Sequence, residues 1–211
     1  MKRPNRFKIQ RQLNIELPGF GDKKAKGPLS KRPSAPGMHS TGKFRKKVSE
    51  YGLRLREKQK IRFHYYVKEK QLINTIKKAK RKESDWMIAF AQMMETRLDN
   101  ILFRMGIAPS IRSARQIIVH GHVNVNDKKC TSPSKLLKLG EKVSLKDKYY
   151  ENTLVAQTLK EPTLELPKYI SVEKKDNKVI GSLAELPTKG DIPFEFNQQY
   201  FIEFYGHIKS R

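Results

Sequence analysis

The residues best suited to metal binding or acid–base chemistry are two histidines on either side of a glycine, in the run HGHVNVN that begins at His120. Cys130 is the only cysteine. A zinc ion takes four nitrogen or sulfur ligands, and His120 and His122 have no third or fourth partner close by in the sequence. Lys128 and Lys129 are the only basic neighbours of Cys130, which favours a half-buried small residue over a reactive thiol. The pattern predicts no metal ion, and no P-loop, GxGxxG or HExxH motif indicates another cofactor.

Asp99 lies in an Arg-Leu-Asp context at the start of an apolar helical run. Pseudouridine synthases carry a catalytic aspartate in such a context, and some also carry a small RNA-binding module like residues 94–150. Their catalytic domain resembles a large mixed sheet, however, and no segment of this chain has room for it. We interpret Asp99 as an acid at a helix N-terminus, where the helix dipole favours negative charge, paired with a nearby arginine. An enzyme is therefore not expected.

The remaining polar residues of this region are mostly basic or amide side chains. Arg112 and Arg115 are one helical turn apart, with Gln116 beside them. The same side continues onto the following strand and turn through His120, His122, Asn124, Lys128 and Lys129. Guanidinium and amide groups in such an array suit the phosphates and 2′-hydroxyl groups of structured RNA.

Charge is distributed unevenly along the chain. The 211 residues contain 45 Lys/Arg and 21 Asp/Glu, a formal net charge of +24. Residues 1–82 contain 26 Lys/Arg against 5 Asp/Glu, whereas residues 83–211 contain 19 against 16. Such a density repels itself unless a polyanion neutralises it, and it favours contacts with phosphates that release counterions. A solubilising surface is the alternative interpretation, but the steep asymmetry favours a nucleic acid.

The composition also bounds the compartment. With a single cysteine the chain forms no internal disulfide, which is typical of a reducing environment. No apolar run approaches the roughly 18 residues of a membrane span. The basic N-terminus, MKRPNRFKIQRQ, has neither the apolar core of a secretory signal nor the Ser-rich amphipathic character of a transit peptide. We therefore expect no membrane association, and synthesis in the compartment where the protein works.

Periodicity separates an N-terminal arm from a helical region. Residues 1–42 are rich in Pro, Gly, Lys and Ser without a sustained apolar period, which predicts an arm that becomes ordered against a partner. Helices follow, with Ser49 and Ser84 as N-caps. We assign Phe63 and Tyr65 to the core, with stacking on RNA as the alternative. The first of these helices carries Arg54, Arg56, Lys58, Lys60 and Arg62.

Helix and strand signals alternate in the next segment. Gly106 should end one helix in the left-handed conformation of a C-cap, Ser110 should start another, and Gly121 should end it. Val123 and Val125 then alternate with polar residues, which predicts a strand. The turn NDKK follows, and EKVSLKD later predicts another short strand of a small antiparallel sheet. Beyond this, short strands are broken by Pro, Gly and a DNK turn.

Together these features predict an α+β fold with an extended basic arm at residues 1–42. A basic, mainly helical domain spans residues 43–93 and is completed by the C-terminal segment 192–211. A small module of short helices packed on a small antiparallel sheet spans residues 94–191, with its core at 94–150 and a strand-rich extension after it.

The sequence resembles a known family over most of its length. RLDNILFRMG (97–106), RSARQ (112–116) and HGHVNVN (120–126) are similar to the small RNA-binding module named after small ribosomal subunit protein four. That module also occurs in tRNA synthetases and RNA-modifying enzymes. The run YGLRLREKQKIRFHYYVKEKQL (51–72) is more specific, because it resembles the helical domain of the ribosomal protein itself. SAPGMHS (34–40) resembles the PGQHG turn of the family, and FNQQYFIEFY resembles its C-terminal strand, which returns to the helical domain.

The resemblance implies a structural constituent of the small ribosomal subunit. Family members bind the 5′ domain of the small-subunit rRNA early in assembly, at a multi-helix junction. They also contact small-subunit proteins five and three near the channel through which mRNA enters, and the contact with protein five influences decoding accuracy. The rival functions are a stand-alone RNA chaperone and, after it, a pseudouridine synthase-like RNA-modifying enzyme.

The opening RPNRFKIQRQLNIELPGF and the RFHY run are most similar to the plastid-encoded branch of the family. This implies a plastid ribosome, in the chloroplast stroma, with the bacterial cytoplasm or the mitochondrion as alternatives. The chain departs from the family pattern at Tyr66, where a helix-breaking glycine is usual, so the bend between the two basic helices must be made another way. Ser40 replaces the last glycine of the turn. The N-terminal cysteines with which some bacterial members bind zinc are absent, which again implies no metal.

The residues that we predict to bind RNA lie in three parts of the chain. In the module they are Arg112, Arg115, Gln116, His120 and Lys128. In the helical domain they are Arg54, Arg56, Lys58, Lys60 and Arg62. In the arm and its exit they are Arg3, Arg6, Arg11, Lys43, Arg45 and Lys46.

Overall fold

A computed structural model of the chain describes residues 5–21, 28–32, 34–37, 48–82, 85–175 and 178–206. The helices are α1 (Arg6–Leu13), α2 (Pro28–Lys31), α3 (Glu50–His64), α4 (Glu69–Lys82), α5 (Trp86–Glu95), α6 (Leu98–Arg104), α7 (Ile111–Val119), α8 (Asp147–Tyr150), α9 (Thr153–Lys160) and α10 (Gln198–Phe204). The strands are β1 (Val123–Val125), β2 (Lys128–Lys129), β3 (Lys142–Leu145), β4 (Ile170–Lys175) and β5 (Lys178–Leu183). Short 3-10 turns occupy Pro18–Phe20 and Lys189–Asp191.

Helices α3, α4, α5 and α10, the helical block, share one apolar core. As predicted, α3 begins at Ser49, whose hydroxyl accepts a hydrogen bond from the Gly52 amide. The cap of α5 is Asp85, whose carboxylate accepts from the Met87 amide; the predicted cap Ser84 lies outside the described residues. The core is built from Ile61, Tyr65, Leu72, Ile76, Phe90, Met94, Phe201 and Tyr205. The assignment of Tyr65 to the core is confirmed, whereas Phe63 is only half-buried.

The C-terminal segment packs on α3 as a helix, and the expectation of a strand there is wrong. The Asn197 side chain caps α10 by accepting a hydrogen bond from the Tyr200 amide over 3.1 Å. Phe201 and Tyr205, four residues apart, are buried, while Ile202 is exposed. This is the spacing of one helical face. The segment has an apolar side chain at almost every position, so its composition fits a strand or a helix, and the packing against α3 decides between them.

Residues 5–21 differ from the predicted extended arm, because they fold against the rest of the chain. Gln10 is buried, and its Oε1 accepts a hydrogen bond from the Leu17 amide over 2.7 Å. The Gly19 amide donates to His64 Nδ1 over 3.2 Å. A Cβ at Gly19 would lie 2.2 Å from the His64 carbonyl oxygen, so only glycine permits this approach. Gln10 is one of the buried residues that hold this segment in place. Because its side chain is polar, it adds nothing to the apolar periodicity from which buried positions are predicted.

Helices α6 and α7 and the sheet form the small module. All neighbouring strands are antiparallel, in the order β2-β1-β3-β5-β4. Gly106 and Gly121 have φ values of +72° and +76°, as expected for the residues that end the two helices. The Ser110 hydroxyl accepts a hydrogen bond from the Ser113 amide over 3.2 Å, which confirms the predicted cap of α7.

Strands β1 and β2 are joined by a tight turn. Asn126 and Asp127 have φ values of 48° and 61°, and two consecutive positive values are characteristic of a type I′ hairpin turn. Val123 and Val125 are buried on either side of the half-buried Asn124, which confirms the predicted alternation. With β3, β4 and β5 completing the sheet beside the helices, the α+β fold is confirmed.

Two helices after β3 were not predicted. The Asn152 side chain caps α9 by accepting a hydrogen bond from the Leu154 amide over 3.0 Å. Val155 and Thr158 are the residues of α9 that are buried, so its inward face contains one aliphatic side chain and one threonine. Such a short face gives too weak a periodic signal to be distinguished from a loop.

Candidate nucleic-acid interface

A left-handed residue joins α3 to α4. Tyr66 has a φ of 51°, a conformation that costs a non-glycine residue roughly 1–2 kcal/mol. Arg115 on α7 stabilises the bend, because its Nη1 donates to the Tyr66 carbonyl and its Nη2 donates to the Tyr65 carbonyl, the latter over 3.2 Å. The guanidinium carbon of Arg115 also lies 5.2 Å from the centroid of the Tyr66 ring, within range of a cation–π contact. Tyr66 therefore adopts a backbone conformation typical of glycine, and its contacts with Arg115 stabilise it there.

Arg115 is also one of two arginines that neutralise Asp99. Its Nε donates to Asp99 Oδ2 over 2.7 Å, and Arg97 donates to both oxygens of the same carboxylate over 3.0 and 2.8 Å. Asp99 is 1% exposed, so these partners replace water. The interpretation of Asp99 as a helix N-terminal acid paired with arginine is confirmed. Each guanidinium nitrogen of Arg115 thus donates a hydrogen bond within the protein.

Three of the predicted module residues are exposed at intervals of four along α7 and its C-cap. They are Arg112, Gln116 and His120. The guanidinium carbon of Arg112 lies 5.9 Å from the centroid of the Tyr66 ring, so α7 presents this arginine next to the bend. We call Arg112, Gln116 and His120 the α7 basic face. It offers cationic and amide donors to solvent, as an RNA backbone requires.

Strand β2 brings a lysine next to the two histidines. Consecutive strand side chains point to opposite faces, so the exposed Lys128 and Lys129 diverge. The Lys129 side chain packs over Gly121, since a Cβ added to this glycine would lie 2.3 Å from Lys129 Cε. The His122 ring stacks on Tyr149 with centroids 4.2 Å apart, and burial, followed by the neighbouring cations, lowers the pKa of His122. Lys129 therefore lies beside the α7 basic face; the sequence placed it in the polar array of this region but not among the residues predicted to bind RNA. Gly121, which has no side chain to obstruct Lys129, was the sequence signal for this position.

Most of the basic side chains of α3 have partners within the protein. The contacts are Arg54 Nε to Glu203 Oε2 at 2.6 Å, Lys58 Nζ to Glu69 Oε2 at 3.1 Å, Lys60 Nζ to Glu57 Oε1 at 2.7 Å and Arg62 Nη1 to Gln59 Oε1 at 3.3 Å. Within the described ranges, Arg56 has no ion-pair partner. The ion pair of Lys60 with Glu57, three residues apart on α3, could be predicted from the sequence. The pairs with Glu69 of α4 and Glu203 of α10 could not, since only the fold brings these acids to α3.

Arg6 and Arg11 are the predicted arm residues that the structure describes. The guanidinium carbon of Arg6 lies 5.0 Å from the centroid of the Phe7 ring. Arg11 donates to the carbonyls of Ser34 and Ala35 over 2.9 and 3.3 Å. The other predicted residues of this part, Arg3, Lys43, Arg45 and Lys46, lie outside the described residues, as does Ser40.

A buried carboxylate that the sequence did not indicate joins the helical block to the module. Glu95 is 0% exposed, and its carboxylate accepts hydrogen bonds from the side-chain amide of Asn100 (Nδ2) at 2.7 Å, from the Tyr169 hydroxyl at 2.5 Å and from the Tyr65 hydroxyl. Arg104 Nε lies 3.4 Å away. Burial, together with the charge of Glu95, raises the pKa of both tyrosines, so they remain hydrogen-bond donors. These partners are distant in sequence, and only the fold assembles them.

Two further kinds of site are absent from the part of the chain that the structure describes. None of the helices described is long and apolar enough to cross a membrane. Nor do His, Cys, Asp and Glu side chains in that part of the chain form a group of three or more that could hold a metal ion.

Comparison with known families gives the class of protein. Residues 96–143 match the S4 domain family, and residues 2–95 match the family described as the ribosomal protein S4/S9 N-terminal domain. The chain is thus an S4-domain protein with a ribosomal-type N-terminal domain before it.

Relatives of similar length give the particular family. Small ribosomal subunit protein uS4B of Bdellovibrio bacteriovorus is 44% identical over 202 residues, which cover 95% of each chain. Small ribosomal subunit protein uS4 of a Synechococcus strain is 42% identical, with 95% of each chain covered. The protein of the same name from Methylobacillus flagellatus is 37% identical, with 96% covered. The chain belongs to the small ribosomal subunit protein uS4 family, which confirms the family that its motifs predict.

Proposed function

We propose that the protein is a structural, rRNA-binding constituent of the small ribosomal subunit. The observation that carries this proposal is the likeness to small-subunit proteins over 95% of both chains. The net charge of residues 1–82, with 26 Lys/Arg against 5 Asp/Glu, supports a polyanionic partner independently of that likeness. The family is one of structural ribosomal proteins, so the protein is not an enzyme. The pairing of Asp99 with two arginines agrees with a structural role for that carboxylate.

The α7 basic face and Lys128 are proposed to contact the rRNA backbone directly. Their side chains are exposed, and a guanidinium group, an amide and an imidazole in sequence along a helix can donate to successive phosphate and 2′-hydroxyl oxygens. Arg115 belongs to the same predicted set, but its donors are directed to Asp99 and to the carbonyls of Tyr65 and Tyr66. We therefore propose that Arg115 supports binding by holding α7 against the bend.

The α3 residues are proposed to add charge to the same RNA contact. Arg56 has no internal ion pair among the described residues and is the best candidate for direct contact. Arg54, Lys58, Lys60 and Arg62 are oriented by their partners and act mainly through the field that they add. Arg6, Arg11, Arg3, Lys43, Arg45 and Lys46 extend the proposed contact into the arm.

We further propose the specific partners that the family resemblance implies. These are the 5′ domain of the small-subunit rRNA, and small-subunit proteins five and three near the channel through which mRNA enters, with an effect on decoding accuracy through protein five. The support is the order of motifs along the chain, which follows that of the family. Reconstitution of a small subunit without this protein, followed by a misreading assay, tests the last point: accuracy should change when the protein is omitted.

The compartment is proposed to be a plastid ribosome. The support is the opening RPNRFKIQRQLNIELPGF and the RFHY run. The relatives reported above are bacterial, which fits the alternatives of a bacterial cytoplasm or an organelle of bacterial type. Fractionation of the source cells, with detection of the protein in plastid ribosomes, distinguishes these locations.

Sedimentation separates the ribosomal proposal from a stand-alone RNA chaperone. In a lysate of the source cells at moderate salt, the protein should sediment with small ribosomal subunits. Recovery at the top of the gradient, away from the subunits, would instead favour the chaperone.

Site variants test where the RNA binds. Arg112→Glu should lower the affinity for a transcript of the rRNA 5′ domain by about tenfold or more, because it removes a phosphate donor and adds a repulsive charge. Lys138→Glu makes the same charge change at an exposed loop position and serves as the matched control. Equal losses for the two variants would mean that only net charge matters and that α7 is not part of the site.

A further inference from the structure

A cleft with a volume of ≈ 720 Å³ lies where α1, the end of α3 and the start of α7 meet. Its walls include the rings of Phe7, Phe20, Phe63 and Tyr66. Arg112 and Gln116 of the α7 basic face also line it. No aspartate or glutamate is among the described residues around the cleft, so it presents a basic and aromatic interior.

This combination of groups fits a nucleobase better than a peptide or a bare phosphate. Bases that leave a stack are bound on RNA-binding proteins by aromatic faces and arginine planes, while amides read their polar edges. The guanidinium of Arg112, 5.9 Å from the Tyr66 ring centroid, and the amide of Gln116 supply such groups. The volume is within the range of about 300–1,000 Å³ that small-ligand pockets usually have.

The Tyr66 ring is held at the cleft at a conformational cost. A tyrosine at a φ of 51° is less favourable than a glycine there, and backbone strain of this kind is concentrated at functional positions. Arg115 hydrogen-bonds to the Tyr66 carbonyl and packs against its ring. The ring is therefore positioned before any ligand arrives, which lowers the entropy lost on binding.

We propose that this cleft receives one unstacked nucleotide of the rRNA, a point that rests on the proposed function. The base stacks between the Tyr66 and Phe63 rings, and Gln116 hydrogen-bonds to its edge. Arg112 contacts the adjacent phosphate. The first turns of α1 and α7 also line the cleft, and their N-terminal dipoles add to the favourable field at that phosphate.

Replacement of the ring tests the proposal. Tyr66→Gly removes the stacking face and retains a residue that adopts positive φ without strain. Its affinity for a transcript of the rRNA 5′ domain should fall by about tenfold. The slope of log affinity against log salt should not change, because no phosphate contact is lost. Leu139→Gly, at an exposed turn position outside the cleft, should bind like the wild type. Wild-type affinity of Tyr66→Gly would overturn the proposal.

A second variant covers the case in which Tyr66→Gly does not fold, as judged by circular dichroism. Phe63→Leu leaves the bend intact and removes the other ring, so it should produce a loss of the same size. If Phe63→Leu binds the transcript as the wild type does, the cleft is not a base-binding site.

Photochemical crosslinking locates the base directly. Ultraviolet irradiation of the full chain bound to the same transcript, followed by mass spectrometry, should give nucleotide adducts on peptides that contain Phe63 or Tyr66. Adducts found only outside the cleft, with tight wild-type binding, would overturn the cleft proposal and leave the proposed function intact. Failure of the wild-type chain to bind the transcript would overturn both. A crosslink from Tyr66 to another protein in isolated small subunits would show a protein occupant and also overturn the cleft proposal.

Discussion

Replacement of Arg115 by alanine separates a structural arginine from an RNA-binding one. Its guanidinium donates to Asp99 Oδ2 over 2.7 Å and to the carbonyls of Tyr65 and Tyr66. Arg112, one turn earlier, is exposed and has a ring contact with Tyr66. We expect Arg115→Ala to lower the free energy of unfolding, and Arg112→Ala to lower RNA affinity with little effect on that free energy.

The size of the stability effect follows from burial. Removal of one partner from a buried ion pair costs about 3–5 kcal/mol. The Arg115 side chain is 20% exposed, and Asp99 keeps its two hydrogen bonds from Arg97. We therefore expect a reduced cost of about 2–3 kcal/mol, which for a chain of this size lowers the thermal midpoint by about 4–12 °C. An exposed residue such as Arg112 should change stability by less than about 0.5 kcal/mol.

Two measurements on the same preparations check the prediction. Urea or thermal unfolding followed by circular dichroism gives the stability difference, and filter binding of a 5′-domain transcript at a temperature where both variants are folded gives the affinity. The reasoning is refuted if Arg115→Ala unfolds like the wild type and loses as much RNA affinity as Arg112→Ala. That result would mean that the guanidinium of Arg115 is available to the RNA.

Three further predictions concern other parts of the molecule. Glu95→Gln leaves the Arg104 charge buried without its carboxylate and should reduce the free energy of unfolding by about 3 kcal/mol; a change below about 1 kcal/mol in urea titrations would contradict this. Burial and then the charge of Arg104 hold the pKa of His64 well below its usual range. Below about pH 6.5 the imidazole is therefore protonated in the unfolded chain but not in the folded one, and the free energy of unfolding should fall by up to about 1.4 kcal/mol per pH unit. His64→Asn, whose oxygen can accept the Gly19 N–H, should lose that part of the pH slope, and an unaltered slope would assign it to another group. Affinity for rRNA should fall steeply with salt, by about 0.7–0.9 in the log–log slope for each phosphate neutralised, and a flat response would exclude phosphate contacts.

Local signals explain why much of the module could be predicted. Ser110 begins α7 because its hydroxyl satisfies a backbone amide at the helix start. Gly106 and Gly121 end their helices because their φ values are positive. Each of these effects acts within a few residues, so the sequence alone contains the information needed.

Features that depend on distant partners could not be predicted in the same way. From the sequence, Arg54 is predicted to contact RNA, but in the structure its Nε lies 2.6 Å from Glu203 Oε2 of α10. A glutamine such as Gln10 is usually exposed, but here it is buried and accepts a hydrogen bond from the Leu17 amide. The sequence of the α10 segment predicts a strand, but the segment is a helix because Phe201 packs on α3. In each case tertiary contact overrides local preference.

The buried carboxylates of Glu95 and Asp99 have a common consequence for the proposed RNA contact. Glu95 accepts hydrogen bonds from the Tyr65 hydroxyl, just after α3, and from Tyr169 of the module. Asp99 is linked through Arg115 to the carbonyls that follow α3. Both therefore tie the end of the basic helix α3 to the module. An apolar contact tolerates small shifts, whereas a buried charge leaves its partners unsatisfied when the geometry changes. The relative position of α3 and the α7 basic face is thus fixed before binding. RNA that contacts both parts does not have to order them first, so more of the phosphate attraction is available as affinity.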